Sequence, residues 1–133
     1  MSVSRHQSSP SCPCGKGVSY EDCCQRYHQG QAAPDAEALM RSRYTAYVLG
    51  LEDYLLATWA EENRPHALGL AEDSPSQWLG LKVLSYQVTD ANSAEVSFVA
   101  RYKVQGKAYR LQERSRFVQR NGRWFYLDGQ ITS

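Results

Sequence analysis

The chain has few of the features that would place it in a membrane or on a nucleic acid. None of its apolar runs approaches the roughly 20 residues of a membrane-spanning helix. Its 15 basic residues are balanced by 14 acidic residues, so the whole chain offers no excess of positive charge to RNA or DNA. Residues 1–30 also lack the apolar run that forms the core of a signal peptide. We therefore expect a cytoplasmic protein with no membrane partner, and we do not favour nucleic-acid binding.

Cysteine is absent from the chain after residue 24, and all four cysteines form two close pairs, Cys12 with Cys14 and Cys23 with Cys24. A tetrahedral zinc ion takes four soft donors at about 2.3 Å, and two short-spaced pairs on facing turns can supply them. A disulfide framework and four free thiols are the alternatives. Neighbouring cysteines bond each other only with strain, and unrelated free thiols would have no reason to cluster. The spacing favours zinc and leaves both alternatives open. With four thiolates present, we expect His28 to be a surface residue rather than a ligand.

The cysteine segment resembles the SEC-C motif, a zinc-binding module named for the C-terminal tail of the SecA translocation ATPase. The resemblance is carried by the spacing Cys12-x-Cys14-x8-Cys23-Cys24 and by Pro13, Gly15, Gly17 and Tyr20. It implies that the four cysteines are the zinc ligands.

The remaining sequence divides into a tail, the cysteine segment and one larger domain. Residues 1–11 are short, polar and serine-rich, which predicts a disordered start, and the zinc-binding motif occupies residues 12–30. After a brief linker, residues 35–133 are long enough for a proper core. Asp35 is a plausible N-cap for a helix over residues 36–49, which Gly50 would end.

Two helices and a loop are predicted before the strands. Apolar residues recur at helical spacing along the first helix and predict one buried stripe, which consists of Met40, Tyr44, Tyr47, Val48 and Leu51. A second helix is expected from residue 52 to about residue 60, and residues 61–75, with a solvated His66, predict a loop.

From residue 77 onward the hydrophobic period is two, which predicts four strands. A phase change predicts a β-bulge near Ser85. Turn-rich residues 90–93, a tight hairpin at Gln105-Gly106-Lys107 and a type I′ signal at Asn121-Gly122 join the strands. Four antiparallel strands in a meander, preceded by helices, predict an α+β domain.

A curved sheet wrapped around the long helix would form a cone that is open at one end, and this order of elements resembles the nuclear transport factor 2-like (NTF2-like) fold. The sequence more closely resembles the YchJ-like (UPF0225) family of uncharacterised bacterial proteins, through residues 37–48, 53–59, 113–117 and 122–129. That resemblance implies an N-terminal SEC-C motif before an NTF2-like body. It supplies no reaction, because the family has none established.

Two polar residues of the third strand, Glu113 and Ser115, stand in its apolar register. An inward carboxylate costs several kcal/mol unless it is paired or neutralised. Arg43 borders the buried stripe of the helix, so a structural Arg43–Glu113 ion pair is the interpretation we favour. The alternative is a polar pocket floor with Glu113 as a general base. The candidate pocket residues are Arg43, Tyr47, Trp59, Tyr102, Glu113 and Ser115, and no catalytic residue is assigned.

The leading functional hypothesis is a non-enzymatic zinc-bearing adaptor. Its SEC-C head would dock a protein partner linked to translocation or the ribosome, because a metal with four protein ligands has no open position for a substrate. The alternative is a small-molecule binder or enzyme that uses the cone. A weaker alternative is RNA binding through the basic last hairpin, and a homo-oligomer is compatible with all three. The arginines of that hairpin are Arg110, Arg114, Arg116, Arg120 and Arg123.

Overall fold

The computed structural model describes residues 11–69 and 76–132. The predicted disordered start therefore lies outside the described residues except for Ser11, and the predicted loop is described only as far as residue 69. Ser11 forms a β-bridge with Ser19, so the fold of the cysteine segment includes the residue before Cys12.

The cysteine segment, residues 11–30, folds as a small knuckle. Its loop closes because the Cys12 amide donates to the Val18 carbonyl at 2.8 Å. Gly15 and Gly17 have φ angles of 84° and 91°, which glycine adopts without steric cost. A single 3₁₀ turn, Tyr20–Asp22, then leads into helix α1, Cys24–His28. The two cysteine pairs are thereby brought to the same side of the knuckle.

Helix α2, Ala36–Leu49, begins and ends as the sequence predicts. The Asp35 side chain accepts a hydrogen bond from the Ala38 amide at 2.8 Å, and Gly50 ends the helix with a φ of 74°. The prediction of one buried stripe was incomplete, because Ser42 and Thr45 on other sides of α2 are also fully buried. The reason is that the sheet, the knuckle and the next helix all pack against α2.

Helix α3, Glu52–Ala57, is shorter than the predicted second helix, which was expected to reach residue 60. After Ala57 the backbone becomes a partner of the sheet. The Ala60 amide donates to the Tyr126 carbonyl at 2.7 Å, and the Tyr126 amide donates to the Thr58 carbonyl at 2.8 Å. These hydrogen bonds to a strand compete with continuation of the helix, and they place Trp59 against Tyr126.

The four strands form the predicted antiparallel meander, in the order β1-β2-β3-β4. Their bounds are Ser76–Asp90 for β1, Ser93–Val104 for β2, Lys107–Arg120 for β3 and Arg123–Ile131 for β4. At Gln105-Gly106 and Asn121-Gly122 both turn residues have positive φ, as a type I′ turn requires. The predicted bulge is confirmed by a register shift between Val83 and Ser85, and β1 has two further shifts. The fold is α+β.

The main core lies between α2 and one face of the sheet. Val96 and Phe117 from the strands are almost completely buried there, and Tyr27 of the knuckle belongs to the same cluster. The knuckle thus shares the hydrophobic core of the body. Over residues 11–69 and 76–132, no helix combines the length and the apolar composition needed to cross a membrane.

Candidate metal centre and ligand cavity

The four cysteine sulfurs converge at the side of the knuckle that faces the body. All four residues are buried, and their Sγ atoms lie within 4.8 Å of one another. The Cys14–Cys23 and Cys23–Cys24 sulfur pairs are 3.6 and 4.0 Å apart. Sulfurs at tetrahedral corners around zinc are about 3.8 Å apart for a Zn–S bond of about 2.3 Å, whereas a disulfide needs about 2.05 Å. The four buried cysteines are therefore arranged as a metal site requires, and they form no disulfide.

The electrostatics of the cluster oppose four negative charges without a cation. Hydrogen bonds from the thiols of Cys14 and Cys24 lower the pKa of Cys12. Burial, followed by the interaction with Cys14, raises the pKa of Cys23 to about 11. The hydrogen bond to Cys12 likewise raises the pKa of Cys24. One thiolate is thus stabilised at the expense of its neighbours, and a divalent cation would remove that competition because it binds the thiolate form of each cysteine.

Helix α2 supplies polar groups to the cysteine cluster. The Thr45 hydroxyl donates to Cys24 Sγ at 3.5 Å and lies 3.6 Å from Cys12 Sγ. Arg41 donates from Nη1 to the Cys14 carbonyl at 2.8 Å. Leu81 of β1 covers the cluster with apolar surface. A hydroxyl donor and a nearby guanidinium are suited to a cluster that becomes anionic when its thiols ionise.

The expectation that His28 is a surface residue was wrong. His28 is half-buried, and its Nε2 lies 2.9 Å from the Ser42 carbonyl. Because a carbonyl only accepts, Nε2 carries the proton, and Nδ1 accepts from the Tyr20 hydroxyl at 2.7 Å. Burial lowers the pKa of His28, which favours this neutral form. His28 is not part of the metal cluster; it joins the knuckle to α2.

A cavity of about 290 Å³ lies between α2 and the sheet. Five of the six candidate pocket residues line it: Arg43, Tyr47, Trp59, Glu113 and Ser115. Tyr102 does not, because it packs outside the cavity against Trp78 and Tyr109, with ring centroids 5.3 and 5.4 Å away. Most of the remaining wall is aromatic and comes from Tyr44, Trp78, Phe98, Phe117 and Tyr126.

Arg43 is 5% exposed and lies in the cavity wall. Its Nη1 donates to the Leu55 carbonyl at 2.8 Å and to the Thr58 hydroxyl at 2.7 Å. Its guanidinium also lies 4.6 Å from the ring centroid of Tyr126. Burial lowers the pKa of Arg43. The predicted Arg43–Glu113 ion pair is wrong: none of the ion pairs among residues 11–69 and 76–132 involves either residue. The guanidinium is instead drawn towards the end of α3.

The Glu113 carboxylate is stabilised by hydroxyl groups rather than by a cation in contact. Its Oε2 accepts from the Ser115 hydroxyl at 2.7 Å and from the Tyr126 hydroxyl at 3.2 Å. It also lies directly over Gly129, where an added Cβ would be 1.9 Å from Oε2. An inward carboxylate is tolerated because two donors satisfy one oxygen and a glycine leaves room for it.

The arginines of the last hairpin largely have partners. Arg116 and Arg120 form ion pairs with Asp128 and Glu62, each with an N···O distance of 2.5 Å. Arg123 donates to the carbonyl of Gly30 in the knuckle at 2.9 Å. These contacts leave less free positive charge than the sequence suggests. RNA binding by the hairpin stays a prediction.

The sequence is closely similar to those of curated bacterial proteins. It is 52% identical over 120 residues to a UPF0225 protein of Xanthomonas campestris, with 90% of this chain and 93% of the relative covered. It is 53% identical over 131 residues to a UPF0225 protein of Methylibium petroleiphilum, with 96% and 92% covered. The chain belongs to the UPF0225 family. The family model described as "YchJ, middle NTF2-like domain" matches residues 35–129, which confirms the resemblance and the NTF2-like fold of the body.

Two solved structures of SEC-C motif containing proteins are similar to this UPF0225 protein along most of the chain. The solution structure of one from Rhodopseudomonas palustris has a TM-score of 0.82 and 35% identity, with 92% of this chain and 98% of the other covered. The crystal structure of one from Psychrobacter arcticus has a TM-score of 0.76 and 28% identity, with 92% and 82% covered. Together with the cysteine cluster, they support the SEC-C interpretation of the knuckle.

Sequence reasoning missed the side chains that support the cysteine cluster from α2. Arg41, Ser42 and Thr45 are spaced so that they share one side of the helix, and all three contact the knuckle. None of the three belongs to the apolar stripe from which the buried side of the helix was predicted. Small hydroxyl residues at helical spacing beside a buried stripe are the signal that would have identified this second contact surface.

Proposed function

We propose that the protein binds a small organic molecule in the cavity between α2 and the sheet, while a zinc ion stabilises the knuckle that closes one side of the body. The observation that carries the proposal is the aromatic cavity with a buried arginine, Arg43, that has no carboxylate partner among the residues that the structure describes. The four-cysteine cluster provides the zinc ligands.

The zinc part of the proposal depends on the donor set and its spacing. Four thiolates are the donors that structural zinc sites commonly use, and their sulfur separations fit a tetrahedral site. Four protein ligands leave no coordination position for a substrate or water. Zinc here would stabilise the fold rather than take part in a reaction.

The ligand part depends on the contents of the cone. A cone filled by side chains would have argued against a ligand, whereas the cavity volume of about 290 Å³ lies near the lower end of the range for ligand pockets, about 300–1,000 Å³. Its walls are mainly aromatic, with a few polar groups that could orient a bound molecule. Buried charges in proteins are generally paired. No carboxylate of residues 11–69 or 76–132 is in contact with Arg43, which supports a ligand that completes its environment.

Docking of a protein partner by the knuckle stays a prediction. The knuckle directs Tyr27 into the main core and His28 onto α2. These contacts support a role in closing the body, which is why we place ligand binding before the adaptor hypothesis.

The proposal can be tested by titrating the zinc-loaded full chain with a diverse fragment library and observing the tryptophan indole NMR signals. Trp59 and Trp78 line the cavity, whereas Trp124 lines a separate cleft and serves as an internal control. We expect some fragments to shift the first two signals and leave Trp124 unchanged.

A cavity-filling variant provides the matched control. Ala100→Leu adds bulk inside the cavity, and Ala108→Leu adds the same bulk at an exposed position on β3. Binding should be lost in the first variant and retained in the second. A library in which no fragment moves the Trp59 or Trp78 signal would overturn the proposal.

A further inference from the structure

The cavity contains two opposite charges that do not neutralise each other. Arg43 and Glu113 both line it, yet they form no ion pair. Arg43 uses only Nη1 for hydrogen bonds, so Nε and Nη2 have no protein partner within the described ranges. Glu113 likewise uses only Oε2, which leaves Oε1 available. Each charge therefore retains hydrogen-bonding capacity that the protein does not use.

These unused atoms still have access to open space. Among the described residues, the buried side-chain nitrogens and oxygens without a partner are Trp59 Nε1 and Trp124 Nε1. The free nitrogens of Arg43 and Oε1 of Glu113 are not among them, so they are not sealed inside packed protein. Both residues line the cavity, so a molecule bound there can reach both charges.

Tyr126 sets the separation of the two charges. Its ring lies against the Arg43 guanidinium at 4.6 Å, and its hydroxyl donates to Glu113 at 3.2 Å. The two charged groups thus both contact Tyr126, the guanidinium at the face of its ring and the carboxylate at its hydroxyl. A small molecule whose own two charged groups are joined through a single carbon atom could reach both groups at once.

We propose that the ligand is a small zwitterion with a hydrophobic side chain, such as an apolar or aromatic amino acid. This inference rests on the proposed ligand-binding function. The ligand carboxylate would accept from the free edge of Arg43, a planar donor fork that suits carboxylates. Its ammonium would donate to Glu113, and its side chain would lie among Trp59, Trp78 and Phe98.

Ligands with a single charge fit the cavity less well. A simple carboxylic acid could pair with Arg43 but would add a second anion beside Glu113. A simple amine would pair with Glu113 but would face the buried guanidinium. A neutral apolar molecule would leave both charges less hydrated and without new partners, and burying a charge without a partner is costly. Only the zwitterion satisfies both groups.

The test compares probes that differ by one charged group: L-phenylalanine, 3-phenylpropionate, which lacks the ammonium, and phenethylamine, which lacks the carboxylate. L-Leucine and L-tryptophan vary the side chain. Affinities are measured by calorimetry on the zinc-loaded full chain, and the Trp59 and Trp78 indole signals locate the binding. We expect at least one of the amino acids to bind, and the amino acid with the phenyl side chain to bind at least about tenfold more tightly than either of its single-charge analogues.

Two variants assign the charges. Glu113→Gln should weaken the amino acid and strengthen 3-phenylpropionate, so that the preference between them disappears. Arg43→Lys keeps the charge but removes the planar fork, and it should weaken both carboxylate probes. Arg110→Gln and Glu61→Gln, both exposed, are the matched controls and should leave the affinities unchanged. An unaltered Trp124 signal verifies that each variant is folded.

The outcomes separate this inference from the proposed function. If 3-phenylpropionate binds as tightly as phenylalanine, or if Glu113→Gln leaves the preference intact, the zwitterion inference is wrong while the cavity remains a binding site. The same holds if library fragments move the cavity tryptophans and no amino acid does. If nothing moves them, both proposals fail.

Discussion

Gly129 shows how closely the cavity floor is packed around one carboxylate. It lies on β4 opposite Ser115 of β3, and the Glu113 side chain crosses the space that a Cβ would occupy. The hydrogen bonds that Glu113 accepts from the Ser115 and Tyr126 hydroxyls depend on its side chain occupying that space. The absence of a side chain at residue 129 is therefore what allows the carboxylate to lie against the sheet.

Gly129→Ala should lower the free energy of unfolding by about 1–3 kcal/mol, because the new methyl group would displace Glu113 from its hydrogen-bond donors. Gly80→Ala is the matched control, since a Cβ there meets nothing within 4 Å and its φ is not positive. The control should be neutral or slightly stabilising. Urea unfolding gives the free energy of unfolding of the parent protein and of both variants. If Gly129→Ala were as stable as the parent protein, the cavity floor would be able to rearrange without a loss of stability.

His28 is a second residue whose role depends on its surroundings. As a neutral ring it accepts from Tyr20 and donates to the Ser42 carbonyl. Its protonated form would turn Nδ1 into a donor that faces the Tyr20 hydroxyl oxygen, and burial disfavours that charge. The link between the knuckle and α2 is thus strongest when His28 is uncharged.

This gives a pH dependence with a definite sign. Burial places the pKa of folded His28 below its ordinary value of 6.5, so the unfolded chain takes up the proton first as the pH falls. The stability from neutral His28 is fully present above pH 6.5 and is lost as the pH falls from 6.5 towards the folded pKa. The difference in unfolding free energy between the protein and His28→Asn should therefore shrink on acidification.

His66→Asn is the control for that experiment, because His66 is exposed. Its difference from the parent protein should stay constant across the same pH range. Acid release of the proposed zinc ion would affect all three proteins alike and would cancel in the comparison. Parallel pH profiles for the protein and His28→Asn would contradict the assignment of a buried neutral histidine.

For single residues, the sequence predicted sites whose members lie close together in the chain. It missed contacts between residues that only the folded structure brings together. The cysteines lie within 13 residues of one another, and a metal requires them to converge, so their association followed from spacing. The partner of Arg43 depends on where α3 ends. That end is decided by the hydrogen bonds that the Thr58 carbonyl and the Ala60 amide form with Tyr126, more than 60 residues later in the chain. No local pattern contains that information.

Helix α2 is the element to which both candidate sites are attached. One side carries Thr45 and Arg41 to the cysteine cluster, and another carries Arg43 and Tyr47 to the cavity. The helix is buried on several sides for this reason. Its bounds were predictable, because a cap and a C-terminal glycine are read locally, but its orientation between three neighbours was not.

Thr45→Val should raise the dissociation constant for zinc by about 10- to 100-fold, because it removes a donor to Cys24 Sγ while keeping the volume of the side chain. Thr89→Val, at an exposed position on β1, makes the same chemical change away from the cluster and should have no effect. Competition with a chromophoric chelator measures the affinity. Equal affinities would mean that the hydroxyl does not support the metal.

The sheet shows the opposite balance between local and long-range information. Its turns and alternating strands predicted the order, the hairpins and one bulge correctly, because each strand pairs with its neighbour in sequence. Tyr102 was misplaced because its alternation identifies a face of the sheet, but not whether a position on that face lies beneath α2. The far end of the hairpin extends past the cavity, and there Tyr102 stacks on Tyr109.

For the molecule as a whole, the knuckle and the body share one core. Tyr27 lies in the same cluster as Phe117 and Trp124, and Arg123 bonds the Gly30 carbonyl. We therefore expect a metal that stabilises the knuckle to stabilise the body as well.

Purified protein should contain one zinc ion per chain, and removing it with a chelator should lower the thermal midpoint of the body as well as that of the knuckle. Zinc binding raises the free energy of unfolding by about 4 kcal/mol when the free zinc concentration is 1,000-fold above the dissociation constant. The near-ultraviolet signal of the tryptophans, all of which lie in the body, reports the melt. Adding zinc back should restore the midpoint. A body that melts at the same temperature without metal would show that the two parts are energetically independent.

The contact of residues 58–63 with β4 has a consequence for self-association. The backbone amide and carbonyl of Tyr126 are hydrogen-bonded to Thr58 and Ala60, and the Leu127 carbonyl accepts a hydrogen bond from the Asn63 side chain. These contacts obstruct strand addition at the middle of β4, and within the described part of the chain β1 is the other edge of the sheet. Two copies that pair through β1 would form a closed pair rather than an open-ended fibre.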